Sequence, residues 1–253
     1  MRAVFLGLLM WAVPVTAQEV EPPIPALLEP TFLLSTARIV SPDEYRGEGA
    51  ILGTTREIAI RDQSLTASDQ VFVPHPLRGQ ALQIGDVIQF YQIDRRINDP
   101  LTGGRLGSLL LPTGIGVVDS LTGDVARVRV THAFRPILIG DFARAVLESD
   151  TLVVASGTGI SPAVGHVVAF QEEKAIVPPF DRLFVRTGEP AALSPGEVVS
   201  IYRPGPEEGG GRMPDVPIGR GMVIRVEGEI AAVVLFEVVR SDAAPGDLFR
   251  RVP

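Results

Sequence analysis

The sequence predicts an all-β protein made of two tandem copies of a small antiparallel, barrel-like module, which follow a short N-terminal segment. Three observations predict this fold: a glycine–acid corner that occurs four times, an internal repeat, and closely spaced turn signals with no long helical pattern between them. Short strands at such spacing are typical of small closed or half-closed barrels, of the SH3-like or a related kind.

The glycine–acid corner is a tight turn that leads into a strand. Gly85-Asp86 precedes residues 87–91, whose β-branched and aromatic side chains predict a strand. Glycine adopts a positive φ without a Cβ clash, and the acidic side chain can accept a hydrogen bond from the backbone just ahead of it. The further copies are Gly140-Asp141, Gly196-Glu197 and Gly246-Asp247.

The internal repeat appears when the second half of the chain is aligned with the first. The matched pairs are Asp69 with Asp181, Gly85 with Gly196, Tyr91 with Tyr202, Gly114 with Gly219, Gly116 with Gly221, Gly123 with Gly228, Ala126 with Ala231 and Gly140 with Gly246. The spacing drifts between 105 and 112 residues only in predicted loops, where insertions are tolerated. We therefore predict a first module at 48–146, a linker at 147–164 and a second module at 165–253.

The N-terminus predicts export. Arg2 supplies a positive charge, residues 3–15 form an apolar run too short for a stable membrane anchor, and Val15-Thr16-Ala17 is an A-x-A-like cleavage site. We interpret residues 1–17 as a signal peptide cleaved after Ala17. The protein is then expected to be periplasmic or secreted, with no membrane span after cleavage. Residues 18–47 form a lead-in that we expect to be partly disordered.

The lead-in and the first module contain several local signals. Residues 31–40 have mixed periodicity and fit either a short helix or the first strand. Ser41-Pro42-Asp43-Glu44 predicts a single helical turn. Asp99-Pro100-Leu101-Thr102-Gly103-Gly104 predicts a turn, with an Asx side chain first and glycine in the left-handed position. Strands are predicted at 50–52, 69–73, 87–91, 106–111, 115–118 and 124–130.

The composition excludes several functions. A net charge of −7 without a basic cluster disfavours nucleic-acid binding, and the absence of cysteine excludes disulfides and thiol catalysis. The single tryptophan, Trp11, lies in the signal peptide, so sugar stacking on aromatic platforms is disfavoured, although a polar groove remains open.

The candidate reactive residues do not form a recognisable site. His75, His132 and His166 are far apart and have no metal-ligand spacing. Residues 156–161 are not a nucleophile elbow, and the glycine-rich 209–212 lacks the Lys-Ser/Thr of a phosphate loop. The pairs Glu172-Glu173 and Glu207-Glu208 are interpreted as solvated, the second within an acidic loop at 205–211. We predict no catalytic, metal-binding or cofactor-binding residues and no cofactor. A hydrolase would need distant groups to converge.

The turn motifs resemble a known family. Asp99-Pro100-Leu101-Thr102-Gly103-Gly104-Arg105-Leu106-Gly107, Gly114-Ile115-Gly116 and Ile139-Gly140-Asp141 resemble the C-terminal β module of flagellar assembly protein T. The order of motifs, from Ser41-Pro42-Asp43-Glu44 to Gly221-Met222-Val223 and Gly246-Asp247, is similar to the β-repeat region of Gram-negative lysin-motif (LysM) peptidoglycan-binding proteins.

Two departures limit what this resemblance implies. The lysin motif is absent, and the second copy has Met213-Pro214-Asp215-Val216-Pro217 roughly where the Asp-Pro-x-Thr-Gly turn is expected. Peptidoglycan binding is therefore not carried over residue by residue. The resemblance implies a non-enzymatic periplasmic scaffold or adaptor of the cell envelope, whose partner binds at exposed strand edges or at the loop 205–211. Direct binding to peptidoglycan is the alternative.

Overall fold

The protein is all-β, with sixteen strands and one short helix in the part of the chain that the structure describes. This computed structural model describes residues 29–41, 49–55, 64–77, 79–147, 150, 163–190, 192–208 and 211–252. The signal peptide, most of the lead-in, the predicted turn at 42–44 and most of the linker, including 156–161, lie outside these ranges.

The elements follow one another in chain order. The helix α1 is Pro30–Leu34. The strands of the first half are β1 (Arg38–Val40), β2 (Gly49–Ala50), β3 (Gly53–Thr54), β4 (Gln70–Pro74), β5 (Val87–Asn98), β6 (Arg105–Thr122), β7 (Val125–Ala133) and β8 (Phe142–Ala145). Those of the second half are β9 (Val164–Phe170), β10 (Arg182–Thr187), β11 (Val198–Arg203), β12 (Glu207–Glu208), β13 (Gly211–Arg212), β14 (Val216–Glu227), β15 (Ile230–Val238) and β16 (Leu248–Arg251).

The two halves have the same strand order. The second half is a closed antiparallel barrel, β10-β15-β14-β11-β16-β9. The first is a curled sheet, β4-β7-β6-β5-β8, flanked by β3 at one end and β2 at the other. Only Ile51 and Leu52 separate β2 from β3, so one kinked segment pairs with β8 at one end of the sheet and with β4 at the other. In the barrel, β9 has the equivalent place between β16 and β10. The prediction of two barrel-like modules is confirmed.

The four glycine–acid corners have the predicted geometry. Their glycines have φ values of 99°, 98°, 91° and 98°. In each corner the acidic side chain accepts a hydrogen bond from the backbone N–H three residues earlier, as from Gln83 to Asp86 at 2.8 Å. Each corner also exchanges two backbone hydrogen bonds with a single residue of a neighbouring segment, which is a strand in three corners and Ile51, between β2 and β3, in the Gly140-Asp141 corner.

A bulge occupies the same place in both modules. Thr113 has no partner on β5, since Phe90 pairs with Gly114 and Tyr91 with Pro112. Ile218 occupies the equivalent position between Gly219 and Pro217. The carbonyl oxygens of Thr113 and Ile218 each accept hydrogen bonds from two consecutive backbone N–H groups, which lie immediately after the next strand in the sequence. A bulge bends a strand without ending it, so β6 runs as one 18-residue strand where two were predicted.

Residues 31–40, which fitted either a helix or a strand, contain both: α1 and then β1. The helix begins at Pro30, within the predicted lead-in at 18–47. The strand β1 pairs with β6, so the sheet of the first module includes part of the segment that was assigned to the lead-in.

Candidate functional site

The most distinctive feature of the molecule is a hairpin arm that extends from the first module. The strand β5 continues to Asn98, whereas its counterpart β11 ends at Arg203, before the position equivalent to Ile93. The hairpin continues beyond the contacts with β8 as residues 92–98 of β5 and 105–111 of β6. The strand β1 pairs with this part of β6, from Val40–Ser108 to Arg38–Leu110. We call this hairpin, residues 92–111, the arm.

The arm, β1 and α1 together cover an apolar outer wall of the second barrel. Five buried side chains come from the covering segments, which are α1, β1 with the residue before it, and the arm: Leu33, Ala37, Ile39, Ile97 and Leu109. Seven come from the outer face of the barrel: Val168, Ala169, Phe184, Met222, Ile224, Ala232 and Val234. Because burial of one aliphatic side chain contributes about 1.5–3 kcal/mol, this seam stabilises the pair of modules by an amount on the order of 10 kcal/mol.

Polar contacts surround the apolar part of the seam. The side chain of Gln171 accepts a hydrogen bond from the backbone N–H of Ala37 at 2.8 Å. The guanidinium of Arg225 donates at 3.1 Å to the carbonyl oxygen of Leu33 in α1, which also accepts from the N–H of Thr36. Arg182 lies over the ring of Phe32, 4.1 Å from its centroid. The two modules are therefore held together by directional contacts as well as by apolar packing.

Asp99, at the tip of the arm, is the central polar residue of the seam, and its side chain is 0 % exposed. Its Oδ1 accepts hydrogen bonds from the backbone N–H groups of Leu101 at 2.8 Å and Thr102 at 3.2 Å, which is the predicted Asx turn. The same oxygen lies 3.0 Å from Nε2 of His166, and Oδ2 accepts from Nη1 of Arg186 at 2.6 Å. We call Asp99, His166 and Arg186 the Asp99 cluster.

The electrostatics of this cluster favour an ionised carboxylate. Burial by itself raises the pKa of Asp99, but the N–H of Leu101 and the Arg186 guanidinium outweigh it and hold that pKa well below its usual range. The hydrogen bond to Asp99, followed by that to Glu229, raises the pKa of Arg186. Both oxygens of Asp99 are occupied by donors, so the cluster holds the arm and offers no free base.

A groove runs along the seam beside the arm. It has a volume of about 520 Å³, and the lining residues are Arg95, Arg96, Ile97, Asn98, Pro100, Val168, Ala169, Phe170, Glu173, Lys174, Ala243, Ala244 and Pro245. Arg95 crosses its floor to donate to the carbonyl oxygen of Phe170 at 2.7 Å, and it pairs with Glu173 at 3.1 Å. We call this cleft the seam groove. Both modules contribute to it, so it depends on their docking.

The structure separates the three histidines. Nδ1 of His75 accepts from the N–H of Leu82 at 3.3 Å in the first module, and His132 is exposed on β7. His166 lies on β9 at the seam. Within the ranges that the structure covers, no three metal-ligating side chains gather into a candidate metal site.

The acidic pairs are also separate from the Asp99 cluster. Glu172 pairs with Lys174 at 2.8 Å and with Arg135 at 2.5 Å, and the hydrogen bond from Lys174 is the main reason that its pKa is lowered. Glu173 lines the seam groove. Glu207 lies in the small hairpin β12–β13, which replaces part of the predicted irregular loop at 205–211.

Sequence reasoning missed the arm and its binding surface, although one signal was present. The strand β15 begins with residues 230–236, which are all apolar, whereas residues 125–130 of β7 alternate. An alternating strand has one solvated face, and a continuous apolar strand is buried on both. The run therefore indicated that the outer wall of the second barrel is covered.

Comparisons with known proteins give no family for this chain. No protein-family model matches it, and no curated protein matches it either. In the ranges that the structure covers, no helix is sufficiently long and apolar to cross a bilayer.

Proposed function

We propose that the protein is a non-enzymatic scaffold or adaptor of the bacterial cell envelope, exported to the periplasm after cleavage at Ala17. The observation that carries the proposal is the seam: a hairpin of one barrel covers the wall of the other and holds two binding modules in one fixed orientation. A fixed arrangement of two small barrels is suited to position partners, because docking then costs little conformational entropy.

The polar groups at the seam support the same conclusion. A catalytic carboxylate needs a free lone pair or a mobile proton within reach of a substrate. Asp99 instead uses both oxygens on internal donors, and Arg186 divides its guanidinium between Asp99 and Glu229. The resemblance of the turn motifs to envelope assembly and peptidoglycan-binding proteins adds a second, independent argument for the compartment.

Export and partner binding can be tested together in a Gram-negative host. A C-terminally tagged chain is expressed with a photoreactive amino acid at Asn98 in the seam groove, at Ile84 on a first-module corner, or at Phe180 on a second-module loop. We expect a mature N-terminus at Gln18, recovery in the periplasmic fraction, and a discrete adduct with an envelope protein from at least one position. A cytoplasmic product, or no adduct from any position, would contradict the proposal.

Direct binding to peptidoglycan is the competing function, and purified components separate the two. The mature protein is mixed with purified peptidoglycan sacculi and sedimented, with a sample without sacculi as the control. A scaffold that binds proteins remains in the supernatant. Saturable co-sedimentation would replace the adaptor proposal with a cell-wall binder.

A further inference from the structure

The seam groove lies between two open strand edges, one from each module. In the described part of the chain, β5 pairs with β8 only over Ile88–Tyr91, so that the same edge has no strand partner along residues 92–98. On the other side, β9 pairs with β16 only over Val164–His166, so that residues 168–170 have no strand partner at that edge, where the carbonyl oxygen of Phe170 accepts from Arg95. Open edges present unpaired N–H and C=O groups.

The lining of the groove confirms that it follows these edges. Four consecutive residues of β5, from Arg95 to Asn98, and three consecutive residues of β9, from Val168 to Phe170, line it. Both runs include a β-bulge, at residues 94–95 of β5 and at Val168 of β9, and the groove contacts each strand over the stretch that has no strand partner. An extended chain placed there can form main-chain hydrogen bonds with either module.

The charges of the groove differ from those of the whole protein. Its lining contains the cations Arg95, Arg96 and Lys174 and a single anion, Glu173, in a chain with a formal net charge of −7. Arg95 and Lys174 have ion-pair partners, whereas no ion pair or hydrogen bond is recorded for the exposed side chain of Arg96 among the described residues. The floor that Arg95 crosses also contains the buried apolar side chains of Ile97 and Val168.

We propose that the seam groove binds an extended, acidic polypeptide segment of a partner protein by strand addition. The partner's backbone pairs with the open edges of β5 and β9, alternate apolar side chains contact the floor, and the intervening carboxylates face Arg96 and its neighbouring cations. This inference rests on the proposed adaptor function, and it names the surface and the chemistry of the segment that the adaptor holds.

Fluorescence anisotropy with defined peptides tests the inference on the full mature protein. The probe is a fluorescein-labelled peptide of four Val-Glu repeats, and the matched controls are four Val-Lys repeats and a Val-Glu peptide with N-methylated valines. We expect saturable, salt-sensitive binding of the Val-Glu peptide only, with at least a tenfold loss on N-methylation because main-chain donors are removed. Absence of Val-Glu binding, or binding of either control peptide as tight as that of the Val-Glu peptide, would overturn it.

Two charge reversals locate the site. Arg96→Glu is expected to weaken Val-Glu binding by about tenfold, since one attractive contact becomes repulsive. Arg129→Glu, on the exposed face of β7 and outside the groove, makes the same change in net charge and should leave affinity within twofold. Equal losses in both variants would show an unspecific charge effect and refute the site.

The test separates this inference from the adaptor proposal. If the peptides fail to bind while the photoreactive residue at Ile84 or Phe180 still captures an envelope protein, the adaptor function stands and the groove is not its binding site. If a soluble peptidoglycan fragment binds at Arg96 and the Val-Glu peptide does not, the acidic-segment inference is refuted.

Discussion

Neutralisation of Asp99 is the sharpest test of how the modules are held together. Asp99→Asn keeps the side-chain volume and one carbonyl acceptor for the Asx turn, but it removes the charge that Arg186 and His166 contact. Hydrogen bonds to charged groups contribute about 1.5–3 kcal/mol each, and loss of one partner of a buried ion pair costs about 3–5 kcal/mol. Arg186 is partly exposed and keeps Glu229 as a partner. We therefore expect a loss of about 2–3 kcal/mol in the free energy of unfolding.

Urea unfolding followed by far-UV circular dichroism measures this loss at pH 7. The matched control is Glu229→Gln, which removes the other carboxylate partner of Arg186. Because the side chain of Glu229 is 38 % exposed, this control is expected to cost less than about 1 kcal/mol. A double-mutant cycle of Asp99→Asn with Arg186→Met isolates the coupling between the two side chains.

The pH dependence has a defined sign. The pKa of Asp99 is lower in the folded protein than in the unfolded chain, so its contribution is fully present above the ordinary carboxyl pKa of about 4 and is lost as the pH falls below it. The difference between the wild type and Asp99→Asn should shrink as the solution is made more acidic than about pH 4. A difference below about 0.5 kcal/mol at pH 7, or one that grows on acidification, would refute the assigned role.

Three further perturbations test other parts of the fold. Asp141→Asn should change the free energy of unfolding by less than about 1 kcal/mol at pH 7, because burial raises the pKa of Asp141 and its side-chain partners are uncharged. Asp247→Asn should cost about 1.5–3 kcal/mol, because it breaks a two-point arginine contact. Equal urea midpoints for the two variants would contradict this. Phe180→Asn should leave the melting temperature unchanged or raise it, since Phe180 is 49 % exposed and its φ of 65° costs about 1 kcal/mol. A clear fall in the melting temperature, measured by differential scanning fluorimetry, would show that packing outweighs this strain. Gly85→Ala should lower the free energy of unfolding by about 1 kcal/mol through its φ of 99° alone. Gly219→Ala should lower it by more, because the new Cβ would lie 2.4 Å from a carbonyl oxygen of β15. A similar fall in melting temperature for both variants would argue against the close approach.

The modules were predictable because the signals that define them are local. A corner such as Gly85-Asp86 needs one left-handed residue and one short acceptor, and both are evident within four residues of sequence. The repeat then shows that the same corners occur twice in the same order. Local chemistry and duplication together were sufficient to predict the fold class.

The seam was not predictable from the same signals. Asp99 was correctly identified as a turn residue, but its contact with His166 joins positions 67 residues apart. No sequence spacing encodes such a contact, because it depends on how far β5 extends before it turns. Leu109 lies in a predicted strand and Ile97 lies beyond the end of one, and only the position of the second barrel explains their burial.

Coverage of one barrel wall by the arm makes the second module dependent on the first. The second module cannot be separated without exposure of its apolar wall, so a truncated product is expected to aggregate. Among the described residues, β7 of the first module directs Arg127 and Arg129 outward, at the place where β15 of the second module is apolar on both faces. The two modules therefore differ in what their outer faces need, and the second depends on the arm of the first to keep its own face out of water.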